Sequence, residues 1–148
     1  MSSTYTCLHY HLIFATQNRE PWFVGTTRDQ LHEYLGGTVR GLGAHPEGIG
    51  GVADHVHLLV SLKATHCLAD FMRELKKASS SWYRETFRRA GFRWQEGYAA
   101  FTVSASAREA VRAYIAGQEE HHRKRSFREE LVEILQRSEI EFDETYLG

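Results

Sequence analysis

The segment Asp54-His55-Val56-His57-Leu58-Leu59-Val60-Ser61-Leu62 constrains this chain more than any other. A strand sends successive side chains to opposite faces. As a strand, the segment places Val56, Leu58, Val60 and Leu62 on one uniformly aliphatic face and His55 and His57 together on the other. The aliphatic face has to be covered by other elements, so the chain needs a sheet with one packed side. The two imidazoles are then expected to look out from the opposite, open side.

The rest of the chain supplies the packing partners. Residues 5–16 read as a strand, with Leu8, Tyr10, Leu12 and Phe14 on one face and Cys7, His9, His11 and Ile13 on the other. A helix is expected from Thr26 or Thr27 to Gly41-Leu42-Gly43, weakened by Gly36-Gly37. Residues 44–53 read as a second strand, with a tight turn around Gly50-Gly51. Leu68, Phe71, Met72, Leu75, Ser79, Trp82 and Phe87 follow helical spacing across 65–90, and Gly91 is the expected stop. A strand region from Trp94 to Val103 follows. Ser106 and Glu109 match a capping box opening a helix to about Lys124. Ser126 and Glu129 match a second, with Leu131, Ile134 and Leu135 inward. This order predicts an α+β fold: a ferredoxin-like or RRM-like antiparallel sheet with helices on one face, plus a C-terminal helix carrying Tyr114. One domain is expected over 1–148, with about 129–148 an acidic helix and tail.

Composition narrows the function classes. No stretch approaches the roughly 20 apolar residues of a membrane-spanning helix. The run from Met1 is not expected to be a signal peptide, and Cys7 and Cys67 lack metal-type spacing, so free thiols in a cytoplasmic setting are expected. The formal net charge is −1, which taken alone argues against a nucleic-acid partner. The distribution is uneven, however. Residues 129–148 hold seven acids against one base, whereas 73–93 hold seven bases against two acids. Local basic patches bind phosphates on a nearly neutral chain, although the same residues also serve simply to solvate helix faces.

Two constellations carry chemistry. His55 and His57 come from one rigid element and can point at a single metal ion or phosphate. His9-Tyr10-His11 has the same spacing, and spacing alone does not choose between the pairs. Tyr114 and Gln118 stand one helical turn apart on one face. They also belong to a stripe with Val111 and Ile115 that reads equally as packing. An inward glutamine needs a partner, and its amide oxygen is a hard metal ligand.

Ala53-Asp54-His55-Val56-His57-Leu58-Leu59-Val60 resembles the HUH motif (His, hydrophobic residue, His) of single-tyrosine transposases of small bacterial insertion sequences and their REP-associated relatives. Tyr114-Ile115-Ala116-Gly117-Gln118-Glu119-Glu120-His121-His122 resembles the family's catalytic helix, and Trp94-Gln95-Glu96-Gly97-Tyr98 and His11-Leu12-Ile13-Phe14-Ala15-Thr16 also look like it. The resemblance runs from about Tyr5 to about Arg128 and selects His55 and His57 over His9 and His11. Gly117 departs from it, standing where a better helix former is expected. The resemblance implies cleavage and rejoining of single-stranded DNA beside imperfect hairpins. His55, His57 and Gln118 would hold Mg²⁺ or Mn²⁺, and Tyr114 would attack to give a 5′-phosphotyrosine. It also implies a homodimer, no small-molecule cofactor, no membrane, and association with the nucleoid when bound to DNA. On this reading Arg73, Lys76, Lys77, Arg84 and Arg88 contact hairpin phosphates, and Trp94 or Tyr98 either stacks on a base or packs in the core. The competing readings are a larger type of HUH nuclease, a non-catalytic or domesticated hairpin-binding protein, and a hydrolase using metal and water.

Overall fold

The computed structural model describes residues 3–143. Strands β1 (His9–Ala15), β2 (His45–Gly51), β3 (His55–Ser61) and β4 (Ala99–Val103) form one antiparallel sheet in the order β2-β3-β1-β4. Helix α1 (Thr26–Gly41) joins β1 to β2, and α2 (Leu68–Phe87) joins β3 to β4. A β-α-β-β-α-β chain with β1 and β3 in the centre of the sheet has the ferredoxin-like arrangement expected from the order of elements.

Register fixes which residues share a face, because partners directly opposite in a ladder lie on the same side. His55 is opposite Ala15, His57 opposite Ile13, and Leu59 opposite His11. Phe101 and Ala99 stand opposite His11 and Ile13 on the far side of β1. The other face carries Leu12, Phe14, Val56, Leu58 and Val60, fully buried against Leu31, Leu35 and Val39 of α1 and Phe71, Met72 and Leu75 of α2. Each such side chain contributes about 1.5–3 kcal/mol on burial. A slip of one residue would drive the imidazoles into this apolar layer, so the register is strongly specified.

The histidine face is not open to solvent as the alternation implied. Helices α3 (Arg108–Ala116), α4 (Gln118–His121) and α5 (Phe127–Arg137) cover it, leaving His55 and His57 with 0% exposure. The reason lies in the neighbours of the histidines. Ile13 and Ala15 meet Phe127 of α5, with Ala99, Phe101, Leu131 and Ile134 packed around them. Leu59 and Val103 meet Ile115 of α3, with Val111 and Tyr114 alongside. Two apolar patches thus flank the imidazoles, and leaving them in water would be unfavourable.

Gly50 lets α3 come this close. It lies opposite His57, and a Cβ there would overlap the Ile115 carbonyl oxygen. Gly50 and Gly51 are therefore strand residues, and the turn into β3 follows them.

Several local expectations are corrected. β1 begins at His9. α2 ends at Phe87, where Arg88 takes the left-handed conformation (φ 52°) and Arg89 N–H donates to Arg84 O, so Gly91 is not the stop. The first capping box does not form. A 3-10 turn over Ala105–Ala107 leads into α3, and the Ser106 hydroxyl pairs with that of Ser104. The helix expected to reach Lys124 breaks at Gly117, which separates α3 from α4. The second capping box, Ser126 with Glu129, is present. Of the expected acidic tail, residues 144–148 lie outside the described residues. Among the described residues, no helix is long and apolar enough to cross a membrane.

The two glycines Gly50 and Gly37 should respond oppositely. Gly50→Ala is expected to destabilise the protein by about 1–3 kcal/mol through overpacking. Gly37→Ala, on a stretch of α1 with nothing within 4 Å of a new Cβ, should stabilise it by about 0.5–1 kcal/mol. Urea unfolding of both variants checks the pair.

Candidate active site at the histidine face

Each imidazole is anchored through its far nitrogen. His55 Nδ1 lies 2.8 Å from Asp54 Oδ1. His57 Nδ1 lies 2.7 Å from His11 Nε2 on β1. His122, just past α4, has Nδ1 3.1 Å from the Arg125 carbonyl oxygen. Such outer partners set the tautomer and aim the remaining nitrogen, as in carboxylate–histidine metal sites. All three Nε2 atoms point into one space.

Oxygens meet them there. Gln118 Oε1 is 3.2 Å from His55 Nε2 and 3.1 Å from His122 Nε2. Glu130 Oε1, from α5, is 3.1 Å from His57 Nε2, 3.2 Å from His122 Nε2 and 3.6 Å from His55 Nε2. Glu130 Oε2 accepts hydrogen bonds from Gln118 Nε2 at 3.1 Å and from the Tyr114 hydroxyl. The Tyr114 ring lies 5.9 Å from that of His57 in the same chain. Beside the tyrosine opens a cleft of about 240 Å³, lined by His11, Val111, Arg125, Ile134 and Arg137.

The charges follow from burial and contact. Burial pushes His57 down to about 4, with His55 and His122 adding to the effect. Burial, reinforced by His57, pushes His11 down to about 3. For Glu130, burial opposes ionisation but hydrogen bonds from His122, His55 and His57 outweigh it, holding the carboxyl well below the usual range. For His55, burial is outweighed by Asp54 and Glu130, which raise its pKa. Burial, together with the Glu130 charge, pushes the Tyr114 hydroxyl up to about 12.

This donor set fits a cation. With Nδ1–H given to Asp54 or to the Arg125 carbonyl, neutral His55 and His122 turn Nε2 lone pairs toward Gln118 Oε1 and Glu130 Oε1. Lone pairs facing one another repel unless positive charge sits among them, either as extra protons or as a metal ion. The amide oxygen and carboxylate are hard donors of the kind that divalent Mg²⁺ and Mn²⁺ take.

Of the residues singled out from the sequence, His55, His57, Tyr114 and Gln118 come together here. Sequence reasoning did not assign parts to Asp54, His11, His122 and Glu130. His11 belongs to the pair that the resemblance passes over, and its partner His9 turns toward Glu47, 2.9 Å away. Glu130 was counted among the tail acids. Its spacing from Phe127, Leu131 and Ile134 is that of one helical face, and this was the available signal.

The basic residues of α2 do not form one set. Lys76 Nζ donates to the Gln95 and Gly97 carbonyls at 2.8 and 2.6 Å, and Arg84 to the Phe92 carbonyl at 3.1 Å. Arg73 pairs with Asp70 and Glu74, while Lys77 and Arg88 are exposed. Trp94 is buried against Phe14, Phe23 and Phe92, with its indole N–H on Ser79. Tyr98 remains exposed, on the rim of a groove shared with α5.

A ferredoxin-like sheet bearing a His-x-His pair beneath a helix-borne tyrosine defines the class of single-tyrosine HUH transposases. The chain belongs to the IS200-like transposase family, whose model matches residues 4–118. It is similar to the ISDra2 transposase TnpA of Deinococcus radiodurans, 30% identical over 117 residues that cover 75% of this chain and 84% of that protein. A solved transposase structure from Deinococcus radiodurans R1 superposes with a TM-score of 0.67 at 29% identity, covering 78% of this chain and 93% of the other. A REP-associated tyrosine transposase bound to a REP hairpin shares the fold, with a TM-score of 0.56 at 15% identity over 78% of this chain and 70% of that one.

Removing the carboxylate in Asp54→Ala should lower the His55 titration midpoint, because one of the two acids that raise it is lost while burial remains. Histidine ring-proton NMR of metal-free protein reads this directly. Lys76→Ala should lower the thermal midpoint by loosening residues 95–97, whereas Lys77→Ala should leave it unchanged; paired thermal melts decide.

Proposed function

We propose that this protein cuts and rejoins single-stranded DNA at hairpin-bearing transposon ends through Tyr114. The observation that carries the reading is the meeting, within one chain, of the Tyr114 hydroxyl with His55, His57 and Gln118 around one buried carboxylate. Family membership supplies the transposase activity, and the hairpin in the REP-associated structure supports hairpin DNA as the substrate here.

His55, His57 and Gln118 would hold a divalent ion, Mg²⁺ or Mn²⁺, which supplies charge neutralisation at the scissile phosphate. Tyr114 Oη attacks the phosphorus, and the bond from phosphorus to the 3′ oxygen breaks. The product is a 5′-phosphotyrosine, and the proton lost by the phenol is balanced by the one the 3′ oxygen takes up. Glu130 Oε2 holds the hydroxyl in place before attack. Because the phosphotyrosine retains the energy of the broken ester, a 3′-hydroxyl from another strand can reverse the step without ATP. Arg125 and Arg137 line the cleft beside Tyr114, where both pair with Glu133, and they would meet phosphates by exchanging that partner. Exposed Lys77 and Arg88 belong to a separate basic surface on α2 and at its end, across the sheet from this cleft, with Arg73, Lys76 and Arg84 on the same helix. The active unit is a homodimer on this reading, as the family resemblance implies.

Labelled single-stranded hairpin DNA from the flanks of the gene, incubated with Mg²⁺ or Mn²⁺ and run on a denaturing protein gel, provides the test. A metal-dependent covalent adduct is expected, absent in Tyr114→Phe. Cleavage that survives Tyr114→Phe would instead mean a metal-and-water hydrolase, and binding without cleavage a recognition module.

A further inference from the structure

We propose that Glu130 and His122 complete the ion-binding set, making a site of three imidazoles, one amide oxygen and one carboxylate that takes Mn²⁺ in preference to Mg²⁺. The proposal rests on the ion-dependent reading above and adds ligands to it. Both residues lie beyond residue 118, where the family match ends.

Spacing is the first argument. Donors about 2.1 Å from one ion stand about 3 Å apart when they are neighbours in an octahedron. Glu130 Oε1 is 3.1, 3.2 and 3.6 Å from the Nε2 atoms of His57, His122 and His55. Gln118 Oε1 is 3.2 and 3.1 Å from those of His55 and His122. The ligand atoms of His55, His57, His122 and Glu130 all fall within 4.8 Å of one another. Glu130 Oε1 thus stands at the separation of neighbouring ligands from His57 and His122 and slightly beyond it from His55.

Charge is the second. Two imidazoles and an amide are neutral, and a buried dication among neutral ligands is poorly compensated. Glu130 is fully buried with Oε1 turned toward all three imidazoles, so its carboxylate is placed to bring negative charge to the ion.

Orientation is the third. The Arg125 carbonyl can only accept, so His122 Nδ1 carries the proton and Nε2 is free to ligate. Phe127 fixes the start of α5, its ring 4.3 Å from that of His55 and 4.0 Å below the Arg19 guanidinium. Three imidazoles favour Mn²⁺, because Mg²⁺ prefers oxygen ligands and dehydrates reluctantly. Helix α5 is thereby part of the metal centre, and ion binding should tighten its docking.

Calorimetry and electron paramagnetic resonance of the full chain with MnCl₂ test this. Wild type should bind one Mn²⁺ at least tenfold more tightly than Mg²⁺, and nitrogen modulation of the Mn²⁺ signal should count three imidazoles. Glu130→Gln and His122→Gln should each weaken Mn²⁺ at least tenfold and shrink the thermal shift it produces. Circular dichroism and the metal-free melting temperature check that both variants fold. Equal or tighter Mn²⁺ binding in Glu130→Gln, or a count of two imidazoles in wild type, overturns the proposal. His55→Ala with His57→Ala separates the two levels. If that variant loses Mn²⁺ while Glu130→Gln and His122→Gln keep it, only the added ligands are wrong. If it keeps Mn²⁺, the ion site of the proposed function fails as well.

Discussion

The carboxylate of Glu130, enclosed between a helix and a sheet, is the constraint around which the second half of this structure is arranged. An ionised group with no exposure survives only where donors surround it. Here the donors come from β3, from α3, from the break after Gly117 and from the loop before α5. Losing any one leaves the others facing an unmatched charge, so the polar contacts act as a unit. The apolar contacts on this face form two modest clusters on either side. The polar centre therefore sets how the three closing helices sit, while the clusters provide much of the attraction that brings them down.

The two faces of the sheet divide the work. On the α1 and α2 side the packing is predominantly apolar, and the aromatic group Phe23, Tyr83, Phe92 and Trp94 belongs to it. Tyr83 there gives its hydroxyl hydrogen to the Trp22 carbonyl, so even its polar end is matched. This side supplies stability and rigidity. The opposite side uses that rigidity, since β3 can hold two imidazoles at fixed positions only because its other face is locked in place.

How much of this was legible depended on how local the signal was. The alternation in β3, the helical spacing of α2 and the capping box at Ser126 are short-range patterns, and the structure has them. The cover over the histidine face was not legible, because it depends on which residues flank the histidines on neighbouring strands. Ile13, Phe101 and Val103 enter only through register. The distinction between His9 and His11 is of the same kind. Both lie on one face of one strand, but only His11 reaches His57. Glu130 was readable in principle as an acid on an apolar stripe, yet the acidic surroundings made it look like surface charge. The Ser106 pattern failed because the chain first makes a tight turn, which takes up the hydroxyl before the helix begins. At Arg88 an ordinary side chain took the left-handed position usually left to glycine.

The sheet is finished by Val103, and every group that closes over the histidines comes later in the chain. During synthesis from the N-terminus, the α1 and α2 core can therefore assemble while the imidazole face still lies bare beside Ile13, Leu59, Phe101 and Val103. A product broken off at that stage would be folded on one side and adhesive on the other, without tyrosine or carboxylate. The cover over the histidines and the Tyr114 and Glu130 side chains thus arrive together, on the stretch that follows Val103.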